Sequence, residues 1–289
     1  MSLQAWRERG GEVRIGTHRV FRVLEGHGPP VLLIHGFPMA SFGWRRIWPR
    51  LTNRHAALAP DLLGFGFSDK PPGGPYGIDA QADLLEALVE NAGLEPPFVL
   101  ASAYGVTLAQ EILARHAERG SPLVRAVCFL NGGLFPEHNP ILPSQKLLLG
   151  PLGGLLFRLV PFGELLFRKN MRKVFGERNP PREDELRDYW RLLEANGGKR
   201  VVHELMRYQI ERIQRRERLV GALRSADVPL RLILGTADPV SGRQAERWKE
   251  VVPDSEPVLL EGSVGHYPQL EAPEAVLDAF DDLTRRASA

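Results

Sequence analysis

The sequence predicts an α/β protein built on a mostly parallel sheet covered by helices. Three observations support this prediction. Short apolar runs bounded by turn residues alternate with segments of helical period, and the first two runs form a hairpin pattern. The length is the third observation. A chain of 289 residues exceeds the usual single domain, but an α/β core with an inserted segment often reaches this size.

This pattern predicts eight strands and four core helices. The helix expected over Asp79–Ala92 shows the period most clearly, because its apolar residues share one face. The predicted strands are Val13–Ile15, Arg19–Leu24, Val31–His35, Ala56–Pro60, Phe98–Ser102, Val124–Leu130, Leu230–Leu234 and Pro257–Leu260. The other predicted core helices are Val106–Glu118, Gly242–Val251 and Pro273–Arg286.

The alternation stops after the sixth predicted strand and resumes before the seventh. An all-helical insertion at this place is expected to cover the carboxyl edge of the sheet, where ligands bind in open α/β sheets. We therefore predict a core of residues 1–134 and 225–289 and a helical cap of residues 135–224, called the cap segment below. It contains a greasy stretch, Ile141–Phe167, followed by two predicted amphipathic helices, Arg182–Asn196 and Lys199–Leu223.

Composition narrows the possible partners. The net charge of +2 gives no argument for a nucleic-acid partner, and the single cysteine, Cys128, excludes an intrachain disulfide and a cysteine metal cluster. Between residues 141 and 224 roughly 18 basic residues stand against roughly 10 acidic ones. Solvated helix faces explain this excess, and contact of the cap with a membrane surface is the alternative. With no signal peptide and no cofactor motif, the sequence predicts a cytoplasmic protein without cofactor or metal.

The stretch Phe98–Thr107 has the pattern of a nucleophile elbow, with an alanine where the nucleophile should stand. An apolar strand leads to small residues at a turn, and a helix follows. If Gly105 is the second small residue of the elbow, Ala101 is the first and Ala103 takes the nucleophile position. A methyl group can neither attack nor leave. Ser102 lies one position early, points away from the apex, and is not expected to replace the nucleophile.

Further motifs follow other predicted strands. The turn His35–Pro38 can aim the backbone N–H of Phe37 at a developing oxyanion, together with the N–H of Tyr104. Asp238 precedes a proline at a strand end and suits an acid that orients a histidine, although a helix cap is the simpler interpretation. His266 lies in a glycine-flanked loop after the last strand, where a general base can move a proton.

Four other residues are candidates for the substrate pocket. Asn131 follows the sixth predicted strand, where hydrolases of this architecture can carry the acid; being neutral, it is expected to donate a hydrogen bond into the pocket. Trp44 is expected to line the pocket, with Phe37, or else to pack in the core. Tyr189 and Tyr208 belong to the cap and either contact substrate or pack between cap and core.

The chain order of positions 103, 238 and 266 resembles the nucleophile, acid and histidine of the α/β-hydrolase superfamily. His-Gly-Phe-Pro followed by Trp44-Arg45 is similar to the epoxide hydrolase and haloalkane dehalogenase branch, and a closer resemblance is to the mesoderm-specific transcript family and its bacterial relatives. That family's elbow reads His-Asp-Tyr-Gly, so this chain departs from it at Ser102 and Ala103. The supporting stretches are Ala109–Glu111, Leu130–Glu137, Val220–Leu223, Asp238–Val240 and His266–Glu271.

The resemblance implies a hydrolase with the α/β-hydrolase fold that acts on a small apolar substrate. In the aspartate branch a carboxylate attacks carbon and a water activated by the histidine hydrolyses the ester, while cap tyrosines protonate the leaving oxygen of an epoxide. Ala103 then leaves four possibilities open: an Asp→Ala replacement in such an enzyme, a Ser→Ala replacement in an esterase or lactonase, a natural pseudoenzyme that binds an apolar ligand, or cofactor-free oxygen chemistry that uses His266 and Asp238 as a base. The sequence predicts that the chain as written is inactive as a hydrolase.

Overall fold

A computed structural model describes residues 1–139, 141, 149–150, 163–177, 179–260 and 262–288. Eight strands form one sheet in the order β1-β2-β4-β3-β5-β6-β7-β8. Strand β2 runs antiparallel to β1 and β4, and the other pairings are parallel. The strands are β1 (Gly11–Ile15), β2 (His18–Glu25), β3 (Pro30–Ile34), β4 (Ala56–Pro60), β5 (Phe98–Ala103), β6 (Ala126–Gly132), β7 (Leu230–Gly235) and β8 (Val258–Leu260). The predicted eight-stranded, mostly parallel sheet is confirmed.

Helices cover both faces of the sheet. The apolar run of β3 is buried along its whole length because alternate residues face opposite layers: Leu32 and Ile34 join one cluster, and Val31 and Leu33 join the other. The helices outside the cap segment are α1 (Leu3–Arg9), α2 (Trp48–Thr52), α3 (Ile78–Asn91), α4 (Tyr104–Arg119), α10 (Ala245–Val251), α11 (Pro268–Glu271) and α12 (Pro273–Arg286).

Several boundaries differ from the sequence prediction, and three of these differences lie at the carboxyl edge. Helix α4 begins at Tyr104, directly after β5, because the elbow turns the chain within a single residue. Strand β6 ends at Gly132 and so includes Asn131. Helix α10 begins at Ala245 rather than Gly242, since the Gly242 N–H donates to the Asp238 carbonyl and closes a turn there.

Helix α1 has no counterpart in the prediction. Ser2 caps it through a bond from the Ala5 N–H to Ser2 Oγ. Its residue Trp6 is fully buried and donates from Nε1 to Ser41 Oγ at 3.0 Å. This contact joins α1 to the segment that follows β3.

The described part of the cap segment is helical and contains no strand. Its helices are α5 (Glu164–Val174), α6 (Glu183–Glu194), α7 (Val202–Leu205), α8 (Tyr208–Gln214) and α9 (Arg216–Arg224). The prediction of one helix over Lys199–Leu223 is wrong. Tight i→i−3 bonds, such as Gln209 N to Met206 O, and a non-helical Arg215 divide it into three, so that successive faces follow the curved surface of the core.

Most of the greasy stretch Ile141–Phe167 lies outside the described residues. Among the residues that are described, no helix is both long enough and apolar enough to cross a bilayer. Two arginines of the cap segment pair with acids of the core: Arg215 with Asp79, and Arg218 with Glu111 and Glu118. These ion pairs join the cap segment to helices α3 and α4.

Candidate active site

The elbow has the geometry that the sequence predicts. Ala103 has φ 52° and ψ −117° at the junction of β5 and α4, a conformation that side chains rarely adopt. Two glycines permit the surrounding approach. A Cβ on Gly105 would lie 2.2 Å from the Ile34 carbonyl oxygen, and one on Gly36 would lie 2.2 Å from the Tyr104 nitrogen. The turn that carries Phe37 therefore lies against the first N–H groups of α4.

The strain at Ala103 predicts that Ala103→Gly stabilises the protein. Backbone conformations of this kind cost about 1–3 kcal/mol for a residue with a side chain. Glycine removes this strain, but it also raises the conformational entropy of the unfolded chain, which offsets about 0.4–1 kcal/mol of the gain. We expect the free energy of unfolding in urea to rise by about 1 kcal/mol. The control, Ala101→Gly in the same strand, should lower it by a similar amount; equal destabilisation by both variants would show that Ala103 is unstrained.

Asp238 and His266 form a buried pair. His266 Nδ1 lies 2.7 Å from Asp238 Oδ2, and both residues are at most 7% exposed. The same carboxylate accepts hydrogen bonds from the N–H of Val240 at 2.8 Å, from the N–H of Ser241 at 3.0 Å and from the Ser241 hydroxyl. These donors fix the acid so that it holds one ring nitrogen and leaves Nε2 for another partner.

The pair shifts both pKa values in the direction that keeps it charged. Burial by itself raises the pKa of Asp238, but the charge of His266 and the hydrogen bonds from His266, Ser241 and Asn131 outweigh it and lower that pKa to about 2. Burial by itself lowers the pKa of His266, but the charge of Asp238 and its hydrogen bond give a net increase. The imidazole is therefore a stronger base than a histidine in water.

Asn131 lies behind the acid instead of facing a substrate. Its Nδ2 donates to Asp238 Oδ2 at 2.8 Å and to the Gly235 carbonyl at 3.0 Å, while its Oδ1 accepts from the Gly235 N–H at 2.7 Å. The expected hydrogen bond into the pocket is thus used on β7 and Asp238. The reason is the longer β6, which places Asn131 inside the sheet, fully buried.

The segment that follows His266 lies against the end of β5. Gln269 Nε2 lies 3.4 Å from Ser102 Oγ, which places α11 beside the end of β5. Buried Glu271 then holds the loop by accepting from the N–H groups of Gly265 at 2.7 Å and Tyr267 at 3.0 Å. Ser102 is therefore engaged from the side of the loop, away from the elbow apex.

The cap segment takes part in the same arrangement. The His266 N–H donates to the Val174 carbonyl at 2.8 Å, and the Gly176 N–H donates to Glu271 Oε2 at 2.8 Å. Tyr208, on α8, packs against Tyr104 with ring centroids 4.1 Å apart. Helices of the cap segment thus contact both the elbow and the segment Gly265–Glu271, which is called the histidine loop below.

Tyr189 lies on the other side of the site in a buried ionic network. Its hydroxyl accepts from Arg45 Nη2 at 2.8 Å, and the same guanidinium pairs with Glu185. Arg46 also pairs with Glu185, at 2.9 Å, and donates to the carbonyl of Leu270 in the histidine loop. The Trp-Arg-Arg run of the sequence therefore joins the turn after β3 to helix α6.

Tyr267 connects the two predicted cap tyrosines with the acid. Burial is the main reason that its pKa lies well above its usual range, and Tyr189, Asp238 and Tyr208 raise it further. The ring of Tyr267 packs edge-on against the imidazole of His266, with centroids 4.9 Å apart. Burial also raises the pKa values of Tyr189 and Tyr208, so both are protonated at neutral pH and able to donate a proton.

The remaining predicted residues have mixed positions. Trp44 is fully buried, and its Nε1 has no hydrogen-bond partner among the described residues. Phe37 is half-buried and packs edge-on against Phe65.

His35 is structural: its Nε2 accepts from the Leu62 N–H at 2.9 Å, and burial lowers its pKa to about 4. Asp61 ties the turn after β3 to the loop after β4 by accepting from the N–H groups of Ser41 and Phe67.

Several residues of this site have no role in the sequence prediction. Tyr267, Gln269 and Glu271 lie within the stretch His266–Glu271 that carries the family resemblance, so that stretch was their available signal. Arg45 and Glu185 are 140 positions apart. Nothing in the sequence joins them, because a buried ion pair across two segments requires the fold to be known.

Comparison with known proteins decides the family. A family model described as "Alpha/beta hydrolase family" matches residues 31–279. The chain belongs to the alpha/beta hydrolase family. Among relatives of this hydrolase, the mesoderm-specific transcript protein of Mus musculus is 37% identical over 296 residues, which cover 96% of this chain and 87% of that protein.

Two further comparisons agree with this assignment. LipZ of Mycobacterium tuberculosis, a protein with a hydrolase name, is 36% identical over 281 residues and 96% of each chain. The solved structure of epoxide hydrolase CorEH superposes with a TM-score of 0.80 at 21% identity, covering 96% of this chain and 98% of that one. The predicted superfamily and the resemblance to the mesoderm-specific transcript family are confirmed.

Proposed function

We propose that this alpha/beta hydrolase is built for the chemistry of the epoxide hydrolase and haloalkane dehalogenase branch, and that Ala103 occupies the position of its nucleophile. The strained backbone of Ala103 supports this most directly. An alanine with φ 52° and ψ −117° has no local reason to be there, whereas a nucleophile gains exposure at the apex of the turn. The hydrogen-bonded Asp238–His266 pair supports the same function, since Asn131, which donates to Asp238, adjoins Gly132, the sheet partner of Ala103.

A carboxylate at position 103 would complete the reaction in two steps. Its oxygen attacks a carbon of the epoxide, the ring C–O bond breaks, and the leaving oxygen takes a proton from Tyr208 or Tyr189. Water that has lost a proton to His266 Nε2 then attacks the ester carbonyl. The N–H groups of Phe37 and Tyr104 stabilise the oxyanion of the tetrahedral intermediate. Its collapse breaks the ester C–O bond and passes the hydroxyl proton of the intermediate to the leaving alkoxide, so that the diol is released and the carboxylate restored. The proton held by His266 then returns to the tyrosinate.

Restoring the nucleophile tests this proposal. Ala103→Asp should hydrolyse an epoxide such as styrene oxide or a haloalkane such as 1-bromobutane, because it supplies the missing attacking oxygen. Loss of a nucleophile typically costs about 10⁴–10⁶ in kcat, so the unmodified chain should show no turnover above background. Product formation is followed by chromatography over hours at equal protein concentration.

Two matched variants complete the design. Ala103→Asn has the shape of the aspartate without its charge and should be as inactive as the unmodified chain. Ala103→Ser is assayed on p-nitrophenyl butyrate. Hydrolysis of this ester by the Ser variant would indicate a serine esterase instead of an enzyme of the aspartate branch. If the Asp and Ser variants both fold, by circular dichroism and melting temperature, yet turn over none of the three substrates, the chain is a binding protein.

A further inference from the structure

Arg212 is a buried cation without a carboxylate partner in the described structure. It is 3% exposed, and its guanidinium bonds only to backbone carbonyls, from Nη2 to Asn139 at 2.6 Å and from Nη1 to Gly133 at 3.4 Å. Its Nε is buried and has no hydrogen-bond partner among the described residues. Burial lowers its pKa, which expresses the cost of holding an uncompensated charge there.

The surrounding sequence cannot supply the missing charge. Between Glu137 and Glu164, the stretch that follows Asn139 in the chain, there is no aspartate or glutamate. Other arginines of helices α8 and α9 and the turn between them contrast with it: Arg215 pairs with Asp79, and Arg218 with Glu111. Buried charges in proteins are normally paired. An unpaired guanidinium at this depth is therefore a candidate group for binding an anion.

Its position points to the proposed active site. Tyr208 and Arg212 lie one turn apart on the same face of α8, and Tyr208 packs on Tyr104 at the elbow. The guanidinium fills the place where a side chain on Gly133 would be, since a Cβ there would lie 1.5 Å from Nη1. Gly132 pairs with Ala103 across the sheet. Standard backbone spacings then put the guanidinium within roughly 12 Å of Ala103.

We propose that Arg212 binds the carboxylate of an apolar carboxylic acid whose chain extends towards Ala103. This proposal adds a ligand class to the proposed function. It rests on that function in one respect only, which is that the space beside Ala103, His266 and Tyr208 is the substrate pocket. The planar guanidinium has five N–H groups, of which two are used, so a fork remains for two carboxylate oxygens. The expected ligand is apolar along its length, as the sequence predicts, but ends in a negative charge.

Binding to the unmodified chain tests this without turnover. Isothermal titration calorimetry compares octanoate with 1-octanol, which has the same chain length and no charge. We expect octanoate to bind at least tenfold more tightly, as a charge-assisted bond in a buried site does. Arg212→Met should remove this preference and leave the affinity for 1-octanol unchanged. Arg207→Met, which removes an exposed arginine next to the same helix, should keep the preference.

A second variant covers the case in which Arg212→Met fails to fold. Gly133→Ala retains the arginine but pushes Nη1 out of its place, so octanoate should lose its advantage there too. Equal affinity of the unmodified chain for the two ligands, or a preference that survives in both variants, would overturn the inference. If octanoate is preferred because of Arg212 but the Ala103→Asp variant is inactive, the anion site is upheld and the hydrolase reaction is rejected. If the Ala103→Asp variant is active but octanoate is not preferred, the hydrolase reaction is upheld and the anion site is rejected.

Discussion

In the Ala103→Asp variant, the further change His266→Gln is expected to stop the reaction after its first step. The aspartate still attacks the epoxide carbon, but no base removes the proton from the hydrolytic water, so the alkyl-enzyme ester accumulates. General-base catalysis contributes about 10²–10⁴ in rate, and turnover should fall by this factor. Mass spectrometry of the intact protein should show one added substrate mass. Full turnover without that adduct would exclude His266 as the base.

The pH dependence of the second step follows from the same pair. His266 acts as a base only when neutral, and its pKa is raised by Asp238. The rate of ester hydrolysis should therefore fall as the pH drops through a value above the ordinary histidine pKa of about 6.5. In Asp238→Asn only the charge of Glu271 still opposes the lowering effect of burial on the pKa of His266, so this limb should move to lower pH. An unchanged profile would mean that another group titrates.

Removal of the Glu185 carboxylate is expected to cause the largest loss of stability. Glu185 pairs with both Arg45 and Arg46, and it also caps α6 by accepting from the Arg182 N–H at 3.0 Å. Arg45 is only 4% exposed, so Glu185→Ala leaves a buried guanidinium without its acid. Breaking such a pair costs about 3–5 kcal/mol. Urea unfolding measures the difference in free energy.

Asp184→Ala is the matched control for this change. Asp184 is the neighbouring acid on the same helix and pairs with Arg182 at the surface. An exposed pair of this kind contributes about 0–1 kcal/mol. Similar losses for the two variants would mean that the buried network contributes no more than a surface ion pair.

Local sequence patterns were sufficient to predict the sheet. Each parallel strand is a short, mainly apolar run, and each motif follows such a strand, so the carboxyl ends of these strands already place positions 103, 238 and 266 at one edge. The hydrogen bond between His266 and Asp238 agrees with that placement. The strain at Ala103 also follows from the elbow pattern, since glycines at 36 and 105 allow the close approach.

Contacts between the cap segment and the core could not be predicted in this way. The two breaks near Arg207 and Arg215 depend on tertiary packing, which overrides helical period. The role of Asn131 changed because β6 extends two residues further than its apolar run indicates. Arg212 was hidden among many basic residues, and only the burial of its guanidinium distinguishes it.

The two hydrogen bonds that join Val174 and Gly176 to the histidine loop have a consequence for timing. If this part of the cap segment swings outward, those bonds break and the backbone that carries His266 loses its tie to the cap, while Asp238 alone continues to hold the ring. Bulk water that enters an open site therefore meets a base whose position is less well fixed, and a reactive ester would be cleaved fastest after closure. Catalytic competence and ligand enclosure would thus be a single event in this molecule.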